Sequence, residues 1–148
     1  MDIYQQLVRD EDNRLKPYLD CCGKYWRDCT CEKKGCLTIA VGVNLDEGIS
    51  AAEGYLLTQG RIAAAREDLN AALPWASARL NDARYNALVN LCFNMGITRL
   101  LKFVNTLDAI KQQDWQRAHD EVLKSDYAGQ VGDRAKRVAK QILTGEWV

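Results

Sequence analysis

LKPYLDCCGKYWRDCTCEKKGCLTIAVGV, residues 15–43, decides the fold because it joins two extended segments through a cysteine-rich stretch. Residues 15–20 and 37–43 have the composition of strands, and the second segment is rich in β-branched residues. Residues 21–36, between them, contain five of the six cysteines. We therefore predict a small antiparallel sheet whose turn is this cysteine-rich stretch.

A short helix is predicted ahead of the sheet. Asp2 and Gln5 form a capping box, and apolar residues follow at the spacing of one helix face. The helix carries Glu11 near its end and stops before Pro17, because a proline disfavours helix at the residue preceding it. The apolar residues are Ile3, Tyr4, Leu7 and Val8.

The rest of the chain has helical patterns. Ser50 and Glu53 form a second capping box, which opens a long helix over residues 50–73 that ends at Pro74. Four further helices are predicted. The first begins at Asp82, its cap, and ends at the turn formed by Asn94, Met95 and Gly96, and the second covers about residues 103–112. The third runs from Trp115 to Lys124 after Asp114, and the fourth runs from Ala135 to Leu143, between the Asp133 cap and Gly145.

One small sheet followed by many helices predicts an α+β fold. We expect a single domain over residues 1–148. Its N-terminal sheet lobe would comprise residues 1–49, the helix over residues 50–73 would connect the lobes, and residues 74–148 would form a larger helical lobe. A cleft between the lobes is where a substrate would bind.

Composition and charge narrow the classes of function. At 148 residues the chain is long enough to bury a core, and its 20 basic and 20 acidic residues cancel. The one basic concentration, residues 134–140, is typical of a solvated helix face, so no nucleic-acid partner is indicated. No apolar run is long enough to span a bilayer, and the polar start does not resemble a signal peptide. We therefore expect either synthesis in a cytosol or an export signal that is not cleavable.

Three polar residues of the N-terminal lobe are candidates for chemistry: Glu11 at a helix end, Asp20 at a strand end and Thr38 at the start of the next strand. Glycoside hydrolysis needs two carboxylates, one protonated and one ionised, and different environments can separate their pKa values. The residue types alone favour the simpler interpretation, in which Glu11 is a solvated glutamate at a helix end.

Four segments extend the pattern over nearly the whole chain: RDEDNRLKPYLD, TIAVGVNLDEGIS, ALVNLCFNMG and LKSDYAGQVGDRAKRVAKQILTGEW. Together they resemble the phage-type lysozymes of glycoside hydrolase family 24, and this resemblance implies a lysozyme-like fold. Glu11 and Asp20 match that family's Glu and Asp, nine residues apart, and Thr38 matches its Thr by the context TIAVG. Thr38 lies eighteen residues after Asp20, much farther than in the family, so residues 21–36 contain an insertion at the hairpin tip.

The resemblance implies a muramidase that hydrolyses the β-1,4 bond between N-acetylmuramic acid and N-acetylglucosamine with inversion. Glu11 would be the general acid, and Asp20 and Thr38 would hold the attacking water. Arg134 would pair with Glu11 across the cleft. The remaining matches, Phe93 and Gly96 on the cleft floor and Gln130 on the substrate side, would support binding, although core packing explains Phe93 equally well. The alternatives are a lytic transglycosylase, which Asp20 and Thr38 argue against, and a non-catalytic wall- or metal-binding module.

The resemblance also implies partners and location. Peptidoglycan would be the substrate of a monomer that needs no cofactor. The chain would stay in the host bacterial cytoplasm until a holin allowed its release to the periplasm and cell wall. Three residues depart from the family: Asp12 and Ala40 replace glycines, and Val43 replaces a frequent His or Arg.

The cysteines leave several interpretations open. Cys92 lies on an apolar helix face and is predicted to be a buried free thiol. The others could form disulfides, which stabilise polar loops outside reducing compartments, could bind zinc, or could remain thiols. The candidates for disulfides or metal are Cys21, Cys22, Cys29, Cys31 and Cys36.

The remaining aromatic and histidine residues receive structural interpretations. His119, the single histidine, is predicted to have a structural role on a helix. Trp26 in the insertion could stack on sugar or pack within the loop. Trp75, Trp115 and Trp147 are predicted to lie in the core.

Overall fold

The computed structural model describes residues 2–11 and 13–148, and the side chains of Asp10 and Glu11 lie outside that description. The chain divides into two compact units, Met1–Tyr55 and Leu56–Val148. The first contains the sheet and the second is helical, which confirms the predicted α+β class.

The first helix, α1, spans Ile3–Glu11. Its capping box is formed as predicted: the backbone N–H of Asp2 donates to Gln5 Oε1 at 3.0 Å, and that of Gln5 donates to Asp2 Oδ1 at 2.8 Å. These two bonds satisfy donors that a helix start otherwise leaves without partners.

The sheet has the order β1-β2-β3, with β1 at Arg14–Leu19, β2 at Leu37–Ala40 and β3 at Val43–Asn44. Both pairs are antiparallel, and β1 faces β2 through Tyr18 opposite Thr38 and Leu19 opposite Leu37. The prediction of one extended segment over residues 37–43 was wrong. Ala40 and Gly42 have positive φ of 55° and 70°, and this turn breaks the segment into two paired strands.

The cysteine-rich stretch closes the β1–β2 hairpin, as predicted. Its first part folds back on β1, because Gly23 N–H donates to the carbonyl of Leu19 at 2.8 Å and Leu19 N–H donates to that of Lys24 at 3.0 Å. A single 3₁₀ turn follows at Trp26–Asp28. No residue from 21 to 36 is buried, so the stretch has no apolar core of its own.

Helix α2 spans Ala51–Ala72, close to the predicted 50–73. Its capping box is also formed: Ser50 N–H donates to Glu53 Oε2 at 2.7 Å, and Glu53 N–H donates to Ser50 Oγ at 3.3 Å. The Ser50 hydroxyl also donates to Glu53 Oε2, at 2.6 Å, and this bond, together with that from the Ser50 N–H, holds the pKa of Glu53 below its ordinary value. The helix ends before Pro74, which opens the next helix.

The later helices agree with the prediction in position, with two corrected caps. Asn81, rather than Asp82, caps the helix Asp82–Met95, because Asn81 Oδ1 accepts from the N–H of Arg84 at 3.0 Å. Gly132, rather than Asp133, precedes the last helix. Three short helices, α3, α5 and α8, were not predicted. The bounds are α3 Pro74–Arg79, α4 Asp82–Met95, α5 Ile97–Leu100, α6 Val104–Lys111, α7 Trp115–Lys124, α8 Asp126–Val131 and α9 Asp133–Thr144.

The core of the second unit is built from one apolar cluster shared by α2, α4 and the helices that follow. Cys92 is buried in it, which confirms the predicted free thiol. Trp75 and Trp115 pack partly buried against this cluster, but Trp147 is 66% exposed, so its placement in the core was wrong. The largest fully buried side chains are Leu69, Leu88, Leu91, Leu100, Ile110, Ile142 and Val122.

Arg84 ties the end of α9 to α4. Its guanidinium donates to the carbonyls of Ile142 at 2.8 Å and Leu143 at 3.0 Å, and lies 3.9 Å from the ring centre of Trp115. These bonds satisfy carbonyls that a helix end leaves without partners, and α9 is thereby anchored. Among the described residues, no helix combines the length and apolar character needed to cross a membrane.

Candidate functional site

Thr38 lies on β2, the middle strand of the sheet, and is buried. Its hydroxyl donates to the carbonyl oxygen of Cys36 at 3.2 Å. A hydroxyl that donates once still has lone pairs to accept a further hydrogen bond. Thr38 is therefore a rigidly placed polar group within an otherwise apolar strand.

Asp20 follows β1 directly and is exposed. Its Oδ1 accepts from the N–H of Cys36 at 2.9 Å, and its own N–H donates to the carbonyl of Cys36 at 3.2 Å. Asp20 and Thr38 are thus both bonded to the backbone of Cys36. The antiparallel pairing of Leu19 with Leu37 produces this arrangement, because it brings the two ends of the cysteine-rich stretch together.

Gly35 is a supporting residue that sequence reasoning missed. A Cβ placed on it would lie 1.8 Å from Asp20 Oδ1 and 2.7 Å from the backbone nitrogen of Cys21. Only glycine leaves room for the Asp20 carboxylate at this point. No local sequence signal marks Gly35, because the contact joins residues at opposite ends of the stretch.

Glu11 is the last residue of α1, and its side chain lies outside the described part of the chain, as does all of Asp12. The predicted pair between Glu11 and Arg134 therefore stays a prediction. Arg134 is partly exposed on the first turn of α9. Burial raises the pKa of Tyr127, and the charge of Arg134 opposes this effect.

The other predicted binding residues belong to the second unit. Phe93 is 42% exposed on α4, so core packing does not account for its position. Gly96 ends α4 with a positive φ of 76°, a conformation that glycine adopts without strain. Gln130 is exposed on α8. Asp20 and Thr38 are brought together in the first unit, whereas Phe93, Gly96 and Gln130 lie in the second.

A cavity of about 630 Å³ in the second unit contains none of the predicted site residues. It is lined in part by Phe103, Glu121, Lys124 and Tyr127. The Tyr127 hydroxyl is buried and has no hydrogen-bond partner within the part of the chain that the structure describes. The chemistry of the predicted site therefore does not coincide with this cavity.

Comparison with known proteins shows to which family the chain belongs. The sequence model of the family described as phage lysozyme matches residues 9–140, nearly the whole chain. The chain belongs to the phage lysozyme family. Its fold is accordingly the α+β, lysozyme-like one that the segments quoted above imply.

Two relatives of this phage-type lysozyme chain illustrate the similarity. Probable T4-type lysozyme 1 of Dictyostelium discoideum is 28% identical over 99 residues, which are 66% of this chain and 58% of that protein. Pre-baseplate central spike protein Gp5 of Enterobacteria phage T4 is 38% identical over 66 residues, which are 45% of this chain and 12% of that protein. The chain thus matches less than two thirds of the length of either relative.

The departure from the family at Ala40 affects the backbone. Ala40, where the family has glycine, has a φ of 55°, in the left-handed region. An L-residue with a Cβ is disfavoured there by roughly 1–2 kcal/mol, which glycine avoids. Val43, the other described departure, begins β3 opposite Ile39.

Four of the five cysteines of the insertion gather at one point. The Sγ atoms of Cys21, Cys22, Cys29 and Cys31 all lie within 4.8 Å of one another, and Cys36 lies outside this group. All six cysteines of the chain are free thiols in the structure. We refer to the four gathered residues as the thiol cluster.

The thiols of the cluster influence one another electrostatically. A hydrogen bond from the backbone N–H of Cys31 is the main cause that lowers the pKa of Cys29 to about 7. The hydrogen bond between the Cys29 and Cys31 side chains is the first cause that raises the pKa of Cys31 to about 12. The cluster thus favours the ionised form of Cys29 and the protonated form of Cys31.

The remaining interpreted residues have local partners. His119 Nδ1 lies 2.8 Å from Asp120 Oδ1 on α7, an arrangement that fits a structural role. This bond holds the pKa of Asp120 below its ordinary value. Trp26 is 41% exposed, with Tyr25 at 5.9 Å between ring centres and the Arg27 guanidinium at 4.8 Å from its ring.

Proposed function

We propose that the chain is a muramidase, a glycoside hydrolase that cleaves the β-1,4 bond between N-acetylmuramic acid and N-acetylglucosamine in bacterial peptidoglycan. The family match over residues 9–140 supports this activity. The observation that carries the proposal is that Asp20 and Thr38 both bond to Cys36, although Cys36 lies sixteen positions after Asp20. Asp20 and Thr38 thus remain close to each other although a long insertion separates them in sequence.

In this mechanism Asp20 and Thr38 hold the attacking water. A carboxylate has about four lone-pair sites, and the N–H of Cys36 uses one of those on Asp20. The Thr38 hydroxyl donates to the Cys36 carbonyl and keeps its acceptor sites for the water. Attack on the face opposite the leaving group inverts the anomeric carbon.

Glu11 is the general acid that protonates the leaving glycosidic oxygen, and Arg134 is the residue that pairs with it. Phe93, Gly96 and Gln130 contact the sugar chain. Exposure of Phe93 supports that role, since an exposed aromatic ring offers a surface on which a sugar can pack. No resident cofactor takes part in the hydrolysis.

The enzyme acts as a monomer that lyses bacterial cells. It remains in the host cytoplasm until a holin permits its passage to the periplasm and cell wall. We expect intact cells that express the enzyme to lyse only when a holin is co-expressed. Enzyme added to chloroform-treated cells should lyse them without a holin. Lysis of intact cells by the enzyme alone would contradict this route.

Glu11→Gln tests the activity, because it removes the proton donor and keeps the shape of the side chain. Proton transfer contributes about 10²- to 10⁴-fold to a rate, so the variant should lose that factor in turbidity loss on chloroform-treated Gram-negative cells. Glu67→Gln, the same change at an exposed position on α2, is the matched control and should keep the parent rate. Near-parent rates for the Glu11 variant would overturn the acid assignment.

Analysis of the products separates the rival activities. Hydrolysis leaves a reducing N-acetylmuramic acid end, whereas a lytic transglycosylase leaves a 1,6-anhydro end that has not taken up water. Mass spectrometry of the released muropeptides should therefore find hydrated ends alone. Anhydro products would identify a transglycosylase, and binding to sacculi without any released product would identify a non-catalytic module.

A further inference from the structure

The thiol cluster has the dimensions of a tetrahedral metal site. Cys21 Sγ and Cys29 Sγ lie 3.8 Å apart, and all four sulfurs are within 4.8 Å of one another. Around a zinc ion with Zn–S bonds of 2.3 Å, tetrahedral geometry separates neighbouring sulfurs by about 3.8 Å. We propose that Cys21, Cys22, Cys29 and Cys31 bind one zinc ion.

The backbone of the stretch presents these ligands in two pairs. The first pair lies on a turn closed by the N–H groups of Cys22 and Gly23, which donate to the carbonyl of Leu19 at 3.3 and 2.8 Å. Gly23 permits this turn with a φ of 66°. The second pair, Cys29 and Cys31, follows the 3₁₀ turn at Trp26–Asp28. Each pair is therefore brought to the cluster by a tight local turn.

The charge of the stretch suits a zinc tetrathiolate, which carries a net charge of −2. Residues 21–36 hold four basic side chains against two acidic ones. The surplus of positive charge offsets the site without help from the rest of the chain. The basic residues are Lys24, Arg27, Lys33 and Lys34, and the acidic ones are Asp28 and Glu32.

A bound zinc ion would order residues 21–36, which have no apolar core of their own. No residue from 21 to 36 is buried, so apolar packing does not order this stretch. A metal bound by ligands from both turns would order it, because metal binding free energy becomes folding free energy. Four protein ligands fill a tetrahedral shell and leave no position for water, so the site is structural rather than catalytic.

Zinc is favoured over other metals by the ligand set. Thiolates select zinc, iron or copper(I), and tetrahedral coordination by four sulfurs is typical of zinc or iron. Sulfurs as close as those of the thiol cluster surround a single ion. The metal assignment rests on these four side chains and is independent of the proposed muramidase activity.

The first test measures metal content. The full chain is purified with a phosphine reductant, supplied with zinc, passed through metal-free buffer and analysed by mass spectrometry of the elements. We expect one zinc per chain, and Cys29→Ser and Cys31→Ser should each lose most of it. Cys36→Ser is the matched control, because Cys36 lies in the same stretch outside the thiol cluster and uses only its backbone towards Asp20.

A second measurement does not depend on variants that could fail to fold. Cobalt(II) added to the reduced, metal-free parent chain should produce the intense visible bands of a tetrahedral thiolate site, and zinc should abolish them. A reduced parent chain that retains no zinc and gives no such bands would overturn the proposal, as would iron in place of zinc. Equal zinc loss in Cys36→Ser would overturn the assignment of the four ligands.

Discussion

At the scale of single residues, Gly35 controls the position of Asp20. The contact that an added Cβ would make involves the backbone nitrogen of Cys21 at 2.7 Å as well as the Asp20 carboxylate at 1.8 Å. A flexible side chain can move away from a methyl group, but backbone held between β1 and β2 cannot do so without a shift of the hairpin end. Gly35 therefore acts on Asp20 as a positioning residue.

Gly35→Ala should displace the Asp20 carboxylate from the Cys36 N–H and lower kcat by about 10-fold or more, since small misplacements of catalytic groups have large effects on rate. KM should change little, because the residues of the second unit that we propose to bind sugar are untouched. Gly60→Ala, the same change on α2 with no atom within 4 Å of the added Cβ, is the control and should keep the parent kcat. Parent activity in Gly35→Ala would show that Asp20 needs no such support.

At the scale of elements, the cysteine-rich stretch is separable from the sheet that carries it. The pairing of β1 with β2 extends to Leu19 opposite Leu37, so the hairpin is closed before the stretch begins. Added length at a hairpin tip costs little loop-closure free energy, about 0.6 kcal/mol per doubling. The core of the second unit contains no residue of this stretch.

Replacement of residues 21–36 by a short turn should therefore leave the thermal unfolding of the helical unit unchanged. Oxidation of the thiols, or removal of metal from the parent chain, should alter lysis through the rigidity of the stretch, again without a change in that unfolding. Circular dichroism melting curves and turbidity assays on the reduced and oxidised forms check both expectations. Failure of the shortened chain to fold would mean that residues 21–36 are an integral part of the fold.

At the scale of the whole molecule, the proposed mechanism requires residues from both compact units. Glu11, Asp20 and Thr38 belong to the first, and Arg134 lies on α9 of the second. An opposite charge near a carboxyl group favours its ionised form. The charge of Arg134 should therefore be visible in the pH dependence of the reaction if the two units share one active site.

Arg134→Ala should reduce activity and move the limb of the pH–rate profile on which Glu11 ionises to higher pH. Removal of a positive charge favours the protonated carboxyl, so this direction follows from the sign of the interaction. Arg137→Ala, one turn along α9 and exposed, is the matched control and should leave the profile in place. Identical profiles for the parent and both variants would show that Arg134 does not pair with Glu11.

Most helices and the hairpin were predictable because their signals are local. The capping boxes at Asp2 and Ser50 each depend on residues three positions apart, and both are formed. The sheet and the site of the insertion followed from composition and from the spacing of Asp20 and Thr38 within the family pattern. Short helices such as α5 escaped prediction, because four residues are too few for a periodic pattern.

Tertiary structure alone decided the features that depend on distant residues. The turn at Ala40 overrides the β-branched composition of residues 37–43, because pairing of Thr38 with Asn44 favours a third strand. Trp147 is apolar but lies beyond the end of α9 and is exposed. The thiol cluster and the bond between Asp20 and Cys36 need a folded hairpin, because residues 7 to 16 positions apart meet only when the backbone turns back on itself.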